Sequence, residues 1–203
     1  MSRFLFCLSP TFLATACTQV AEQAPHALGS AFVELETAGD LTVPLIDSDD
    51  RRGNVVGAFA FATGREIGTG VARGYAALQP DASVTAAPSG SATYDAAFEG
   101  AIINKIVVTD DTLEGSNSLF SGNITLTAQF DDGTLSGNSD SEFNNGLMVA
   151  GQITDQELTG NVMYRGVHGE LTGLIGGDQV IGAFHGSSED TVYAGGFVGP
   201  VSP

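Results

Sequence analysis

The side chains that could do catalytic chemistry in this chain are three histidines and several pairs of neighbouring acids. The histidines are His26, His168 and His185. Nucleophilic catalysis needs such a base beside a serine, threonine or cysteine. None of the three lies in a recognisable motif with a nucleophile or an acid. The sequence therefore predicts no catalytic residue and a protein that is not an enzyme.

Two of the histidines also raise the question of a metal or haem site. His168 or His185 could bind a metal or haem if the fold brought it close to Met163 or Tyr164. Histidine is more often solvated at a surface, and His26 lies in a polar stretch without periodicity. We therefore expect all three to be solvated, and we expect no cofactor and no metal site.

Neighbouring acids could support general acid–base catalysis or bind Ca²⁺. The pairs are Asp49-Asp50, Asp110-Asp111, Asp131-Asp132 and Glu189-Asp190. They fall in predicted turns and lack calcium-loop spacing, and a chain with 24 acidic residues contains such pairs by chance. A single Gly176-Gly177-Asp178 matches one piece of a calcium nonapeptide but does not repeat. The acids are expected to be solvated turn residues.

The overall charge excludes one class of partner. Lysine and arginine number 7 against 24 acids, which gives a net charge of −17. Such a surface repels phosphate backbones, so the sequence predicts no nucleic-acid binding, and it offers no basic patch for an anionic membrane. A basic partner would be attracted, although the acidity also serves solubility alone.

The N-terminus indicates export. Residues 1–16 resemble a signal peptide, with Arg3 before a short apolar run. The sequence LATAC, ending at Cys17, resembles a bacterial lipobox, which predicts a lipidated Cys17 and a flexible tether over residues 17–30. Cleavage after Ala16 by the ordinary signal peptidase, followed by free secretion, is the alternative. Cys7 and Cys17 are the only two cysteines, so a disulfide within the remainder of the chain is excluded.

Residues 31–87 predict a small β-rich region and a linker. Short strands are expected at residues 32–36, 41–46 and 55–62, while residues 67–78 could form a strand or a short helix. Residues 81–90, rich in Ala, Pro and Ser, are expected to be a loop.

Residues 88–203 carry the clearest pattern, short segments of alternating apolar and polar residues separated by turns. Tyr94, Ala96 and Phe98 share one strand face, whereas Thr125 and Thr127 lie on the opposite face of theirs. The polar residues 110–117 are expected to break one strand from the next. About eight strands with short hairpins favour an antiparallel up-and-down β-barrel, because closure leaves no exposed edge.

Glycines recur among the residues expected to face inward, which bears on the barrel interior. They are Gly137, Gly151, Gly160, Gly173 and Gly182. An eight-stranded barrel is narrow enough for side chains to fill, and glycine leaves room for a large side chain opposite it. The sequence therefore predicts an all-β protein with a packed barrel and a small N-terminal β-rich appendage.

Three phrases in this half resemble the surface lipoprotein barrels typified by transferrin-binding protein B. The first is Gly90-Ser-Ala-Thr-Tyr94 with Phe98 and Gly100 after it; the second is Phe130-Asp-Asp-Gly-Thr-Leu-Ser-Gly137; the third is Gly182-Ala-Phe-His-Gly186 with Gly195-Gly196-Phe197. The chain departs from the family in having Ser187 where a proline is usual, and in having one barrel where the transferrin receptors have two lobes.

The resemblance implies a non-enzymatic lipoprotein of the cell envelope. It would be anchored in the outer membrane by its N-terminal lipid alone, facing the surface or the periplasm, and its loops would bind a protein or a small ligand. A role in iron or haem acquisition is part of what the resemblance implies. Two alternatives remain open: a small-molecule carrier with its ligand inside the barrel, and an eight-stranded integral outer-membrane barrel, which needs longer strands with apolar outer faces.

Overall fold

The structure, a computed structural model, describes residues 41–42, 52–66, 72–109, 112–139 and 146–203. Within them no helix is long and apolar enough to cross a membrane. These residues form twelve strands: β1 Leu41–Thr42, β2 Arg52–Val56, β3 Phe59–Glu66, β4 Ala72–Leu78, β5 Ser91–Thr109, β6 Thr112–Gln129, β7 Thr134–Asn138, β8 Leu147–Thr154, β9 Glu157–Tyr164, β10 Val167–Ile175, β11 Gln179–Ser187 and β12 Thr191–Pro200.

Strands β5 to β12 form a closed antiparallel barrel in which each strand pairs with its sequence neighbours. The first and last strands close it, with Phe98 of β5 opposite Phe197 of β12. The predicted eight-stranded up-and-down barrel is confirmed. The two-residue alternation is the cause: β8 reads buried–exposed over Leu147 to Gln152, so that one face joins the core and the other meets solvent.

Inside the barrel, aromatic rings lie over glycines of the adjacent strand. The directly opposed pairs are Phe98 with Gly122, Phe120 with Gly100, Phe184 with Gly195, Tyr193 with Gly186 and Phe197 with Gly182. A Cβ placed on Gly122 would lie 2.6 Å from Cζ of Phe98, and one on Gly182 would overlap the Phe197 ring. Glycine is therefore needed at these positions because its partner's ring occupies the space.

The five glycines predicted to face inward follow the same rule. Each is opposite an inward-facing neighbour or another of the five, as in Gly137 opposite Leu126 and Gly173 opposite Leu158. A Cβ on Gly151 would lie 2.7 Å from a methyl of Leu158. The expectation of a packed interior is confirmed, since facing side chains fill the room that these glycines leave.

The strand break predicted at residues 110–117 is shorter than expected, because β5 ends at Thr109 and β6 already begins at Thr112. Strands β5 and β6 are 19 and 18 residues long and pair as far as Thr109 and Thr112, with one irregularity between Asn104 and Val107. Gly115 and Asn117 look like turn residues, but both are buried on the outer side of the hairpin. Tertiary packing of that side keeps the segment extended despite its composition.

Strands β1 to β4 form a small sheet with β3 in its centre, so the predicted N-terminal β-rich appendage is confirmed. The single strand expected at residues 55–62 is wrong, because Gly57 and Ala58 form a two-residue turn and Val56 pairs with Phe59. Gly57 has a φ of +50°, which glycine adopts without strain. Residues 72–78 are a strand and not a helix, and the strand expected at residues 32–36 lies outside the described residues.

The small sheet packs on the outside of the barrel. Its Phe59, Phe61 and Leu78 form an apolar cluster with Ile181 of β11 and Ala194 of β12. These two barrel strands are consequently buried on both faces. This explains why their sequences are almost continuously apolar instead of alternating.

Candidate functional site

The barrel has two ends that differ in what covers them. We call one the strap end: it carries the turns after β6, β8 and β10 and the last residues of β12, and the strap, residues 79–90, is bound to it. We call the other the hairpin end, because the β5–β6 hairpin turns there, as do the connections after β7, β9 and β11.

Asp178 is the main anchor of the strap. Its Oδ1 accepts hydrogen bonds from the backbone N–H of Thr85 at 2.8 Å and from the Thr85 hydroxyl at 2.9 Å. The backbone hydrogen bond is the largest cause that holds the pKa of Asp178 below its usual range. The Gly176-Gly177-Asp178 turn thus holds the strap, a role that sequence reasoning did not assign to it.

Further hydrogen bonds join the strap to the barrel turns. The Gln156 side chain donates to the Thr85 carbonyl at 2.6 Å, and the Gln179 side chain donates to the Ser83 carbonyl at 2.9 Å. The backbone N–H of Gly177 donates to Ala86 at 3.2 Å. A Cβ at Gly176 would overlap the Thr85 carbonyl, so the turn can approach the strap only as glycine.

Below this turn, the hydroxyl of Tyr94 donates to the Gly176 carbonyl at 2.6 Å. Burial, followed by the negative charge of Asp178, raises the pKa of Tyr94 to about 12. The C-terminal residues add to the same end, where Ser202 donates to the Asp95 carboxylate at 2.8 Å. The strap end is therefore a hydrogen-bonded closure.

The hairpin end is built differently, because β5 and β6 continue beyond their neighbours. The pairing of β5 with β12 stops at Asn104 opposite Thr191, and the pairing of β6 with β7 stops at Thr125 opposite Asn138. Among the strands that the structure describes, β6 before Thr125 therefore pairs with β5 alone. The hairpin stands as a two-stranded wall on one side of this end.

The floor beside this wall is aromatic. Phe120 stacks on Tyr164 with ring centroids 4.2 Å apart, and Tyr164 meets the Tyr193 ring edge-on at 5.9 Å. Tyr193 is fully buried and donates its hydroxyl to the Val167 carbonyl at 3.1 Å. Arg165 lies over Tyr164, 5.6 Å from the ring centroid. Burial raises the pKa of Tyr164, and the charge of Arg165 opposes that rise.

Polar side chains line the inner face of the wall above the floor. Ser116 and Ser118 are exposed on the same strand face as Phe120, and Asn104 is opposite Ser116. We call this set the mouth: the floor of Phe120, Tyr164 and Tyr193 and the wall of Asn104, Ser116 and Ser118. It offers aromatic, hydroxyl and amide groups, which suit binding.

The exposed apolar side chains and the basic side chains of the barrel collect at the same end. Val107 and Leu119 of the hairpin are 54% and 59% exposed, and Met148 at the start of β8 is 45% exposed. Lys105 and Arg165 are the only basic residues within positions 88–203. Both have left-handed backbones, with φ of 56° and 51°, which non-glycine residues adopt at a cost of about 1–2 kcal/mol.

The two described histidines, His168 and His185, are not among the residues that form the mouth. His168 is exposed on the outer face of β10, opposite Met163 of β9, so the fold does bring these two together. His185 lies opposite Glu170 and is partly buried, which corrects the expectation of a solvated side chain. Within the described residues, no group of three or more His, Cys, Asp or Glu could hold a metal ion. His26 and Cys17 lie outside the described residues.

The described acid pairs act within turns. Asp131 accepts a hydrogen bond from the backbone N–H of Gly90 at 3.1 Å, and Asp190 accepts from the hydroxyls of Thr191 and Ser188 at 3.0 and 3.3 Å. The pairs at residues 49–50 and 110–111 lie outside the described residues. The mouth was not predicted from the sequence, because the strand break expected at residues 110–117 left no wall, and the pairing of Phe120 with Gly100 is seen only in the structure.

Comparison with known proteins gives structural matches alone: no family description and no curated protein matches the chain. The haemoglobin receptor HpuA from Kingella denitrificans, in complex with human haemoglobin, matches at a TM-score of 0.44 and 17% identity, over 77% of this chain and 58% of that one. The chain thus spans little more than half the length of that receptor.

Two transferrin-binding protein B structures match as well. A point mutant from Actinobacillus pleuropneumoniae H49 matches at a TM-score of 0.49 and 9% identity, over 83% of this chain and 85% of that one. The isotype 1 protein from serogroup B Neisseria meningitidis matches at 0.48 and 11%, over 82% and 36%. All three matches, to the haemoglobin receptor and to transferrin-binding protein B, are at low sequence identity.

Proposed function

We propose that this protein is a non-enzymatic binding scaffold of the cell envelope that holds a protein ligand at the hairpin end of its barrel. The observation that carries the proposal is the contrast between the two ends. The strap end is tied down by hydrogen bonds from residues 79–90, whereas the hairpin end presents the mouth together with exposed Val107 and Leu119. Apolar and aromatic groups on a projecting element are typical of protein-binding surfaces.

The packed interior favours a ligand outside the barrel over one inside it. Phe98, Phe184 and Phe197 belong to one buried cluster with residues from every barrel strand. A carrier would have to open this aromatic core, and large core rearrangements of that kind destabilise a fold strongly. The small-molecule carrier is therefore the weaker alternative.

The outer faces of β6, β8 and β9 favour an aqueous environment. Thr125, Thr127, Gln152 and Asn161 are exposed there. A bilayer-spanning barrel needs a continuous apolar outer band at this position. This supports attachment through a lipid on Cys17 and residues 17–30 over insertion of the barrel itself.

The anchor is tested by mass spectrometry of the mature N-terminus from the native host, with protease accessibility measured on whole cells. A diacylated Cys17 and cleavage of the barrel in intact cells are expected for a surface lipoprotein. A chain in the medium whose first residue is an unmodified Cys17 would contradict the lipid anchor, and protection from protease in intact cells would favour the periplasmic face.

The ligand is the finer question, and haemoglobin and transferrin are the first two to test because the sequence resemblance implies iron or haem acquisition. The net charge of −17 would also speed association with a basic ligand at low salt. Binding of each protein to the full chain is measured by surface plasmon resonance at two salt concentrations, followed by pull-down from host fluid if neither binds.

The site is tested by comparing two surface variants against that ligand. Val107→Ser with Leu119→Ser alters the hairpin end, and Asp132→Ser alters an exposed turn of the strap end. We expect the first to weaken binding about tenfold or more, as losing central apolar contacts does, and the second to leave it unchanged. Equal binding by both variants would contradict the hairpin-end site.

A further inference from the structure

Three potential metal ligands form one row on the outer face of the barrel. Met148 of β8 is directly opposite Met163 of β9, and Met163 is directly opposite His168 of β10. All three point outward, because Leu147, Val162 and Leu171 on the alternate positions of the same strands are buried in the core. The row lies at the hairpin end, beside the turn at Arg165.

The row consists of residue types that are rare in this chain, methionine and histidine. The chain has three methionines, of which one is Met1, so this row holds both internal methionines and one of three histidines. Met148 is 45% exposed although an outer barrel position favours a polar side chain, as at Asn161 and Gln152. Because Met148 and Met163 lie on the outer face of the barrel, packing of the core does not explain why two methionines are adjacent there.

The register brings the three donors within reach of one ion. Directly opposed side chains have Cβ atoms about 4.5–5.5 Å apart. Met148 and His168 are two strand spacings apart, about 9–10 Å, a gap that two extended side chains and an ion between them can span. Methionine has three rotatable bonds and adapts its sulfur position readily. Met163 in the middle would complete a trigonal set of two sulfurs and one imidazole nitrogen.

The donor chemistry selects the metal. Thioether sulfur is a soft ligand that favours Cu(I), and imidazole also suits copper, whereas Mg²⁺ and Ca²⁺ need oxygen donors. The carboxylate of Glu170, two residues from His168 on the same strand face, adds negative charge near the row without supplying a soft donor. The set is therefore suited to a monovalent soft cation.

We propose that Met148, Met163 and His168 form a binding site for one Cu(I) ion on the outer face of β8, β9 and β10. The site is separate from the mouth and does not depend on the proposed binding of a protein ligand. It would add metal binding to a chain whose His, Cys, Asp and Glu residues, where the structure describes them, form no metal cluster.

The experiment uses the full chain with Cys7→Ser and Cys17→Ser, so that the thiols do not compete for the metal. Ag(I), a redox-inert substitute, is titrated while the methyl signals of ¹³C-labelled methionine are followed by NMR, and Cu(I) affinity is measured anaerobically against a chromophoric chelator. We expect one equivalent of Ag(I) to shift the Met148 and Met163 methyl signals together.

Substitutions then test each ligand. Met148→Leu, Met163→Leu and His168→Gln should each weaken Cu(I) binding by at least the roughly tenfold that loss of even an outer-shell partner causes. Leucine preserves the methionine volume, so folding is retained. His185→Gln and His26→Gln are the matched controls and should bind as the parent does.

Three results would overturn the site: methyl signals of Met148 and Met163 that do not move with Ag(I), parental Cu(I) affinity in Met163→Leu, or loss of binding in His26→Gln in place of His168→Gln. The last result would assign the metal to the N-terminal segment.

Discussion

The two ends of this barrel differ in structure: the strap end is covered by a hydrogen-bonded segment, and the hairpin end exposes apolar side chains. At the strap end, backbone carbonyls of residues 83–86 accept hydrogen bonds from Gln156, Gln179 and the Gly177 N–H, while Asp178 accepts from Thr85. At the hairpin end, two strands outrun their neighbours and leave apolar side chains exposed. The eight strands close the barrel, and β5 and β6 extend beyond their neighbours at the hairpin end alone.

The same contrast appears in where backbone strain is placed. Two of the three described non-glycine residues with positive φ, Lys105 and Arg165, lie at the hairpin end, and both are basic. Strained positions persist where the surroundings hold them, and they cluster at functional sites. The third, Asp155, lies in the turn after β8 at the strap end.

The largest effect is expected from a methyl group at the strap end. In Gly176→Ala the added Cβ overlaps the Thr85 carbonyl and lies 2.8 Å from Cβ of Val84. Overpacking of this kind costs about 1–3 kcal/mol, so the free energy of unfolding should fall by that amount and the strap should detach. Urea unfolding and hydrogen exchange at Thr85 measure the two effects.

Its counterpart at the hairpin end is Gly166→Asn, where no atom lies within 4 Å of the added Cβ and asparagine tolerates the φ of +79°. We expect a change within about 0.5 kcal/mol. If both variants lost the same stability, the two ends would not differ as described.

The next largest effect on stability is expected from removing the Tyr94 hydroxyl, which lies below the strap. Tyr94→Phe leaves the Gly176 carbonyl without its 2.6 Å donor, and an unsatisfied buried group costs about 1–3 kcal/mol. Tyr164→Phe at the hairpin end should cost less, because Tyr164 interacts there with Arg165, which is exposed to water.

The raised pKa of Tyr94 predicts that the free energy of unfolding falls at alkaline pH. Its pKa in the folded protein is about 12 against an ordinary value of 10.0, so the unfolded chain loses this proton first. The stability that Tyr94 contributes is complete below about pH 10 and is lost as the pH rises toward 12. Tyr94→Phe should flatten the stability profile over that window, and an unchanged slope would contradict this assignment.

Asp178 is expected to have a smaller effect on stability, at acidic pH. The pKa of Asp178 is lowered in the folded protein, so its contribution is complete above the ordinary aspartate pKa and is lost as the pH falls through the lowered value. The NMR signal of the Thr85 amide should therefore titrate in acid, and Asp178→Asn should abolish that titration. Hairpin-end amides serve as the internal control.

The smallest change in stability is expected from Val107→Ser with Leu119→Ser. Both side chains are more than half exposed, so the free energy of unfolding should change by about 0.5 kcal/mol or less while ligand binding falls. Thermal denaturation of this variant provides the check. A large destabilisation would mean that these side chains hold the fold and are not reserved for contacts.

The barrel could be predicted because its signal is local. Strict alternation placed Tyr94, Ala96 and Phe98 on one face, and all three are in the core together with Phe184. The inward glycines were also predictable, since they follow the same period. The register between strands, and the glycine that each aromatic ring covers, could not be predicted, because they depend on how strands distant in sequence pair.

The length of the β5–β6 hairpin was mispredicted because tertiary packing overrode composition, and within the correctly predicted small sheet the turn at Gly57 and Ala58 was missed. Residues 110–117 resemble a turn, yet Asn117 is buried and its Oδ1 is 3.4 Å from the Thr63 hydroxyl of the small sheet. In the small sheet, Gly57 fits the apolar alternation of residues 55–62, so the sequence predicted one strand where the chain turns. The anchoring of the strap by Asp178 depends on residues 93 positions apart in sequence, which no window along the chain detects.

The pairing of β5 with β12 has a consequence for biogenesis. The barrel cannot close until the last strand has been synthesised, because Phe197 and Val198 must pair with Phe98 and Ala97 some hundred residues earlier. Such a high contact order slows folding. For the exported lipoprotein proposed above, slow folding would keep the chain extended while it crosses the membrane, and the pairing of β12 with β5 would complete the barrel afterwards.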